Sequence, residues 1–452
     1  MIRRNRALIA NGVTPALLKG CIAEHQKTLG RLGRLDGLYR GKHDILGRKP
    51  PGEKAPNNRI VANFPKYIVD TAVGYMFGNP AAYQSDSPGA LAGLRAALDT
   101  ADADIRDAEL GKKLSVFGTG LELVYMSADE RPSPQIALLD PREAFVAYDD
   151  TAAMKPLFGV HYSARIGADG SAGAVDITVY THDRVQHCRA AEAGGTPVPV
   201  SEEAHWFGGI PLLEYWNNEE GMGDFEHVVN IIDAYNVLQS DRVNDKERFV
   251  SAILVMEGAT FEDEDEARAA LRDGSINTPE GSRLYYLTKI LNEAETEVLK
   301  KSLAADIHKF SQTPDFTDEN FSGNTSGVAM KFKILSLEYL AKVKERFLVE
   351  GLKARLRLFA HVLAVQGKAP VDVDKISVVL NRALPINELE NAQTVATYAA
   401  SGTVSRETLL TQVAFVKDKA AEAACLRAEQ AAKNAADAAA FGHADDVDDV
   451  RL

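Results

Sequence analysis

The sequence predicts an α+β protein in which helices flank and bridge a run of antiparallel strands. Three observations predict it. A proline-free helical pattern extends from Val328 to about Gln366. Short β-rich runs separated by turn residues fill Leu121 to Thr181. The chain closes on an Ala-rich helix former, about Asp418 to Ala440.

Taken in order, Thr14 with Pro15 reads as the N-cap and first position of a helix to about Leu32. A Gly- and Pro-rich segment, Tyr39 to Asn58, follows. Ile60, Phe64, Ile68, Ala72 and Met76 then fall at four-residue spacing, and Gly78-Asn79-Pro80 ends that helix. Asp102 to Val116 reads as another. Leu121–Met126, Gln135–Leu139, Ala144–Tyr148, Phe158–Arg165 and Val175–Thr181 read as strands of a meander or small barrel that ends in a loop, Ala190 to Glu203. Pro211 to Asn218 adds a strand. Gly221-Met222-Gly223 marks a boundary, after which Asp224 is expected to cap a helix carrying Val228, Ile231, Ile232, Tyr235 and Leu238. Ser251–Glu257 and Arg283–Leu287 are expected strands around an inserted unit, whose helix starts at the acidic Glu262 to Glu266. A helix covers Glu293 to Phe310, and a strand covers Lys375 to Asn381. Asn387 and Glu390 form a capping box for a helix to Ala400, and a short helix starts at Ser405. The acidic end, Ala444 to Asp449, is expected to be disordered.

Between these lies the stretch Thr313 to Lys368, a polar loop followed by the long helix. If helical from Val328 to Gln366, it would span roughly 60 Å at about 1.5 Å per residue. Lys331, Lys333, Lys342, Lys344, Arg346, Lys353, Arg355, Arg357 and Lys368 outnumber Glu338, Glu345 and Glu350 there, in a chain of formal charge -13. Two readings stay open: a solvated face on a buried helix, or a surface that meets something negative.

At 452 residues, with 45% hydrophobic and 25% charged residues, the chain has the composition of a well-cored soluble protein. Its acidic balance argues against bulk, non-specific nucleic-acid binding. Cys21, Cys188 and Cys425 are widely spaced and support neither a disulfide framework nor a zinc site. No apolar run has the length of a membrane span, and no signal peptide is expected. No phosphate-binding Gly-Lys-Ser/Thr loop and no His-Glu-x-x-His occurs. Gly118-Thr119-Gly120 reads as turn glycines, and His182 with His187 lacks a third metal ligand. No catalytic, cofactor-binding or metal-binding residue is expected.

Several segments resemble the portal proteins of tailed bacteriophages, in the subfamily of long-tailed siphophages. They are Tyr39-Arg40-Gly41-Lys42-His43-Asp44-Ile45-Leu46, Asn57-Asn58-Arg59-Ile60-Val61-Ala62-Asn63-Phe64, and Gly74-Tyr75-Met76-Phe77-Gly78-Asn79-Pro80. Ile210 to Glu219, Asp224-Phe225-Glu226, Asp233-Ala234-Tyr235-Asn236, Ser326 to Lys331 and Asn381 to Asn387 complete the set. In this order, over roughly Tyr39 to Val416, they form a specific signature.

The resemblance implies a ring, dodecameric in the virion, at one capsid vertex, with subunits assembled in the host cytoplasm. Double-stranded DNA would pass through its channel, driven by a separate terminase. Head-completion proteins would dock on it, and capsid and scaffolding proteins would surround it. Residues 1–223 would form a wing, 224–248 and 292–312 two stem helices, and 249–291 an α/β clip. Residues 328–386 would form a long bridging helix with its following strand, 387–441 a helical crown, and 442–452 the tail. The channel-lining tunnel loop would be Thr313-Pro314-Asp315-Phe316-Thr317-Asp318-Glu319-Asn320-Phe321-Ser322-Gly323-Asn324-Thr325-Ser326-Gly327. Lys331 and Lys333 are the candidates for basic residues facing DNA or a neighbouring subunit. The loop carries Asp315, Asp318 and Glu319 and no Lys or Arg, so it cannot clamp phosphate. That suits DNA that must slide. The rival readings are a metal-dependent nucleic-acid-processing enzyme, and a prophage-derived connector of the same fold.

Overall fold

The computed structural model describes the chain outside residues 11, 51, 53–54, 86–87, 167–171, 193, 251–252, 259–264, 266–280, 288–292, 317–331, 384–387, 411–412, 414–418 and 443–452. It shows a mixed helical and sheet protein in two compact units, Met1–Phe316 with Ile334–Ala383, and Thr317–Lys333 with Leu384–Leu452.

In the first unit, Thr14 accepts a hydrogen bond from the Leu17 amide and starts α1, Pro15–Gln26. The expected single helix to Leu32 is two, because Lys27 and Thr28 interrupt it and α2 runs Leu29–Tyr39. Then come α3 (Phe64–Phe77), α4 (Pro88–Thr100) and α5 (Ala103–Phe117). Asn63 caps α3, so Ile60 lies outside the helix its spacing suggested.

The strands are β1 (Ile2–Arg4), β2 (Ala81–Gln84), β3 (Thr119–Met126), β4 (Pro134–Leu139), β5 (Ala144–Asp149), β6 (Pro156–Ile166), β7 (Ala172–Tyr180), β8 (Arg184–Ala190), β9 (Val198–Ala204) and β10 (Leu212–Trp216). One six-stranded sheet has the order β1-β5-β6-β7-β8-β9, and a second has β10-β3-β4. Much of the expected loop after Ala190 is therefore the edge strand β9, paired to β8. Its fully exposed Val-Pro-Val-Ser-Glu-Glu-Ala lacks the apolar alternation of a half-buried strand, which hides it in the sequence. Helix α1 covers the larger sheet, burying Leu18, Cys21 and Ile22 with Phe158, Val160, Ile177 and Val179.

Helix α6 (Val229–Val250) and α7 (Glu293–Phe310) pack against each other, and β11 (Ile253–Glu257) pairs antiparallel with β12 (Arg283–Leu287). The acidic segment expected to start a helix between those strands falls largely outside the described residues. The long helix, α8, is Leu335–Val365, about 46 Å at 1.5 Å per residue. Ile334 is at its N-cap position, and Val328 to Lys331 of the expected helix lie outside the described residues. Strand β13 (Ser377–Leu380) returns to pair antiparallel with β2. The second unit contains α9 (Glu388–Ser401), α10 (Arg406–Leu410) and α11 (Lys419–Gly442). Ser405, the expected first residue of α10, instead caps it, accepting from the Thr408 amide at 3.2 Å. Asn387 and the acidic end lie outside the described residues.

Gly351, the one glycine of the long helix, is where that helix meets the smaller sheet. A Cβ there would stand 2.3 Å from Cδ1 of Tyr215. Tyr215 is 1% exposed, and its hydroxyl donates to Glu122 at 3.2 Å, so the ring cannot swing away. Gly351→Ala is expected to lower stability by about 1–3 kcal/mol through overpacking, despite its better helix propensity. Thermal unfolding checks this; an unchanged or raised midpoint contradicts it.

Candidate functional site

The site is built from three joints around the long helix and the root of the loop that precedes it. At the root, α7 ends and the chain reverses through Gln312, at φ 56°. The Ser311 amide donates to Ile307 O at 2.9 Å and the Thr313 amide to His308 O at 3.2 Å. Nδ1–H of His308 donates to Thr313 O at 3.0 Å, with the ring edge-on to Phe64 and Tyr67 at 5.8 and 5.7 Å between centroids. The Tyr67 hydroxyl donates to Pro314 O at 2.8 Å and accepts from the Phe316 amide at 3.3 Å. Burial first, then the Asp315 charge, push the Tyr67 phenol up, against the Phe316 amide, so the hydroxyl keeps the proton it donates.

Of the sequence-predicted loop, the structure thus describes Thr313 to Phe316. Thr313 and Pro314 are buried, while Asp315 is half-buried and Phe316 exposed. Thr317, Asp318, Glu319, Asn320, Phe321, Ser322, Gly323, Asn324, Thr325, Ser326 and Gly327 lie outside the described residues, as does Lys331. Lys333 is half-buried. The structure therefore brings the first four loop residues together with α3 and α7.

The first joint of the long helix is at its start. Arg382 reaches Glu338 at 3.0 Å and Glu345 at 2.7 Å, and the Tyr75 hydroxyl donates to Glu338 at 2.6 Å. Close by, the Ala383 amide donates to Tyr75 O at 3.0 Å, and Asn79 Nδ2 donates to Arg382 O at 3.2 Å. Two distant sequence motifs, Gly74 to Pro80 and Asn381 to Ala383, are therefore one contact.

The second joint corrects the expected cap at Asp224. Its carboxylate is buried and accepts from Lys344 Nζ at 2.7 Å and from Asn217 Nδ2 at 2.8 Å. Lys344 also donates to Ser115 Oγ at 2.9 Å. The short helical turn before α6 has Phe225 at its N-cap position, with no side-chain cap. Asp224 ties the long helix to the base of α6 instead.

The third joint is the deepest. Arg355 is fully buried, donates through Nε to Glu122 Oε1 at 2.8 Å and through Nη2 to Glu122 Oε2, and pairs with Asp107 at 2.7 Å. Two carboxylates share one guanidinium. Burial, then Glu122, push the Asp107 carboxyl up to about 6, although Arg355 pulls it down.

A polar ladder holds the segment before α3. The Asn58, Ile60 and Ala62 amides donate to Asn244 Oδ1 (2.7 Å), Ser240 Oγ (3.0 Å) and Asn236 Oδ1 (2.8 Å). Every second residue of an extended chain advances about 6.7 Å, and every fourth of a helix about 6 Å, so the periods match. Asn236 also pairs with His43 at 3.2 Å. The ladder was missed by apolar patterning; its signal is Asn-x-x-x-Ser-x-x-x-Asn on one helix face. Among the described residues, no group of three His, Cys, Asp or Glu side chains is placed to hold a metal, and no helix is long and apolar enough to cross a membrane.

Set beside known proteins, residues 18–436 match the family described as phage portal protein, SPP1 Gp6-like, and the chain belongs to that family. The portal protein of Bacillus phage SPP1 is 24% identical over 411 residues, covering 86% of this chain and 79% of the relative. The portal protein of Clostridium phage phiCD119 is 23% identical over 413 residues, covering 83% and 87%. A solved chain from the neck of an empty GTA particle, computed with C6 symmetry, has a TM-score of 0.44 at 13% identity over 78% of this chain and 89% of that one.

Proposed function

We propose that this chain is the subunit of a closed ring at one capsid vertex, which forms the channel for genome packaging and ejection and the platform for terminase and head-completion proteins. Membership of the portal family supports this reading, and the observation that carries it into the structure is the fastening of the loop root. A loop that guides moving DNA needs a rigid base, and Tyr67 and His308 supply one. In this reading, residues 1–223 are the wing, α6 and α7 the stem, β11 and β12 part of the clip, and α9 to α11 the crown. Thr313 to Gly327 line the channel. Asp315, Asp318 and Glu319 keep phosphate from lodging there, since like charges meet across the gap. The role is structural, with no reaction assigned to the chain.

Deleting Asn320 to Asn324 tests the assignment. Rings are expected to form as before by negative-stain microscopy, while DNA packaging or retention falls at least tenfold in a packaging assay. Normal packaging by the deletion variant contradicts the loop assignment.

A further inference from the structure

A cavity of about 480 Å³ opens between α2, α5 and the end of β4, within the size range of small-molecule sites. Arg40, Arg106, Lys112, Lys113 and Arg142 line it, against Asp36, Glu109 and Asp140. In a chain of formal charge -13, this is a concave positive patch. Its floor is apolar, since Tyr39, Val116 and Phe117 are buried there. Low-dielectric walls beneath an excess of one sign of charge focus the field into a cleft.

The three carboxylates are already held. Arg40 reaches Asp36 at 2.9 Å, and Arg142 reaches it at 3.3 Å. Arg142 also holds Asp140 at 2.6 Å, and Arg106 holds Glu109 at 2.9 Å. Lys112 and Lys113 form no ion pair among the described residues. The turn of about 100° between neighbouring residues of a helix sends them to two sides of the cleft. Lys112 leans over the Tyr39 ring of α2, its Nζ 4.8 Å from the centroid. Lys113 is half-buried on the side of Asp140; burial pushes its ammonium down, while Asp140 and Glu109 pull it back up. Arg106 adds a buried Nε–H with no hydrogen-bond partner. Two ammonium groups without a counter-ion therefore line one cleft, beside an arginine with an unmet donor.

We propose that this cleft binds a small, multiply charged phosphate: inorganic phosphate, pyrophosphate or the phosphate chain of a nucleotide. Charge and shape select that class. Two uncompensated ammonium groups match a dianion, whereas a side-chain carboxylate or a phosphodiester carries a single charge. A terminal phosphate presents three strong acceptor oxygens, so both lysines and a further N–H can donate to one group. Lysine serves such a site as a point charge, and its bonds to an anion are the strong, charge-assisted kind. A DNA duplex is a convex rod, and its backbone phosphates do not enter a recess to reach a half-buried lysine.

The test is calorimetric titration of the full chain at about 0.1 M salt, which screens scattered surface charge. Inorganic phosphate, pyrophosphate, ATP, a short DNA duplex and an acidic peptide are the separate titrants. Saturable binding of at least one of the three phosphates is expected, and Lys112→Met with Lys113→Met should weaken it about tenfold or more. Lys342→Met, which removes an exposed cation elsewhere, should leave it unchanged. Tighter binding of ATP than of pyrophosphate assigns the site to a nucleotide, and the reverse order to free phosphate. No saturation by any phosphate, or binding that the double variant does not move, overturns the proposal. So does a peptide or duplex that binds at these lysines while the phosphates do not. A second measurement needs no variant: pyrophosphate is expected to shield Lys112 and Lys113 of the wild type from acetylation by acetic anhydride, read by mass spectrometry. Equal labelling with and without it contradicts the site.

Discussion

Arg355→Met is expected to lower the unfolding free energy by about 3–5 kcal/mol, the largest single effect in the first unit. The substitution removes the one cation that two buried carboxylates share, leaving Glu122 and Asp107 charged and unpaired. Adding Glu122→Gln and Asp107→Asn to it should recover most of the loss, because the pocket then holds no uncompensated charge. pH separates this from a simple loss of packing. The Asp107 carboxyl titrates at about 6 in the fold, above its ordinary value near 3.8. A raised carboxyl binds its proton more tightly folded than unfolded, so its contribution is complete below about 4 and is lost as pH rises through 6. The wild type should therefore gain on Asp107→Asn as pH falls across that window. In Arg355→Met the Asp107 carboxyl loses the cation that pulls it down and rises further, and the defect should shrink below about pH 5. Urea unfolding at pH 5 and pH 8 measures both; an equal defect at the two pH values contradicts the shared-charge explanation.

Lys344→Met is the second large effect, again about 3–5 kcal/mol. It strands the Asp224 carboxylate beside Asn217 with no cation. The damage should be directional. Asp224 is at the junction of the smaller sheet and the base of α6, so hydrogen exchange should rise in Ser115 to Phe117 and Val228 to Tyr235 before the larger sheet responds. Lys344→Met with Asp224→Leu should exceed the single variant in stability. Uniform exchange across the unit, or a loss below about 1 kcal/mol, contradicts a buried joint.

Lys344 and Arg355 show what a charge count along the sequence misses. Counted as charge, they made the long helix a basic face. Read by phase, Leu337, Ala341, Lys344, Leu348, Leu352, Arg355, Phe359 and Val362 recur at steps of three or four residues, which puts both cations on the buried stripe. The solvated-face reading and the anion-seeking reading both fail for these two residues. Asp224 misleads for a related reason: an Asp after Gly-x-Gly before an apolar run is a cap signal, and nothing local betrays a lysine 120 positions away. The motifs fared better because they are contacts. Gly74 to Pro80 touches Asn381 to Ala383, and Asn57 to Phe64 lies along the α6 ladder. Strand β9, which has no buried side, left no pattern to read.

The central claim is that copies of this chain close into a ring with the loop after α7 on its inner rim. A single-particle reconstruction of the purified full chain, viewed down the symmetry axis, tests it most directly. The expected result is a closed ring with the Tyr67–Pro314 root facing the channel. A population of monomers under all conditions, or a ring with that root on its outer rim, would contradict it.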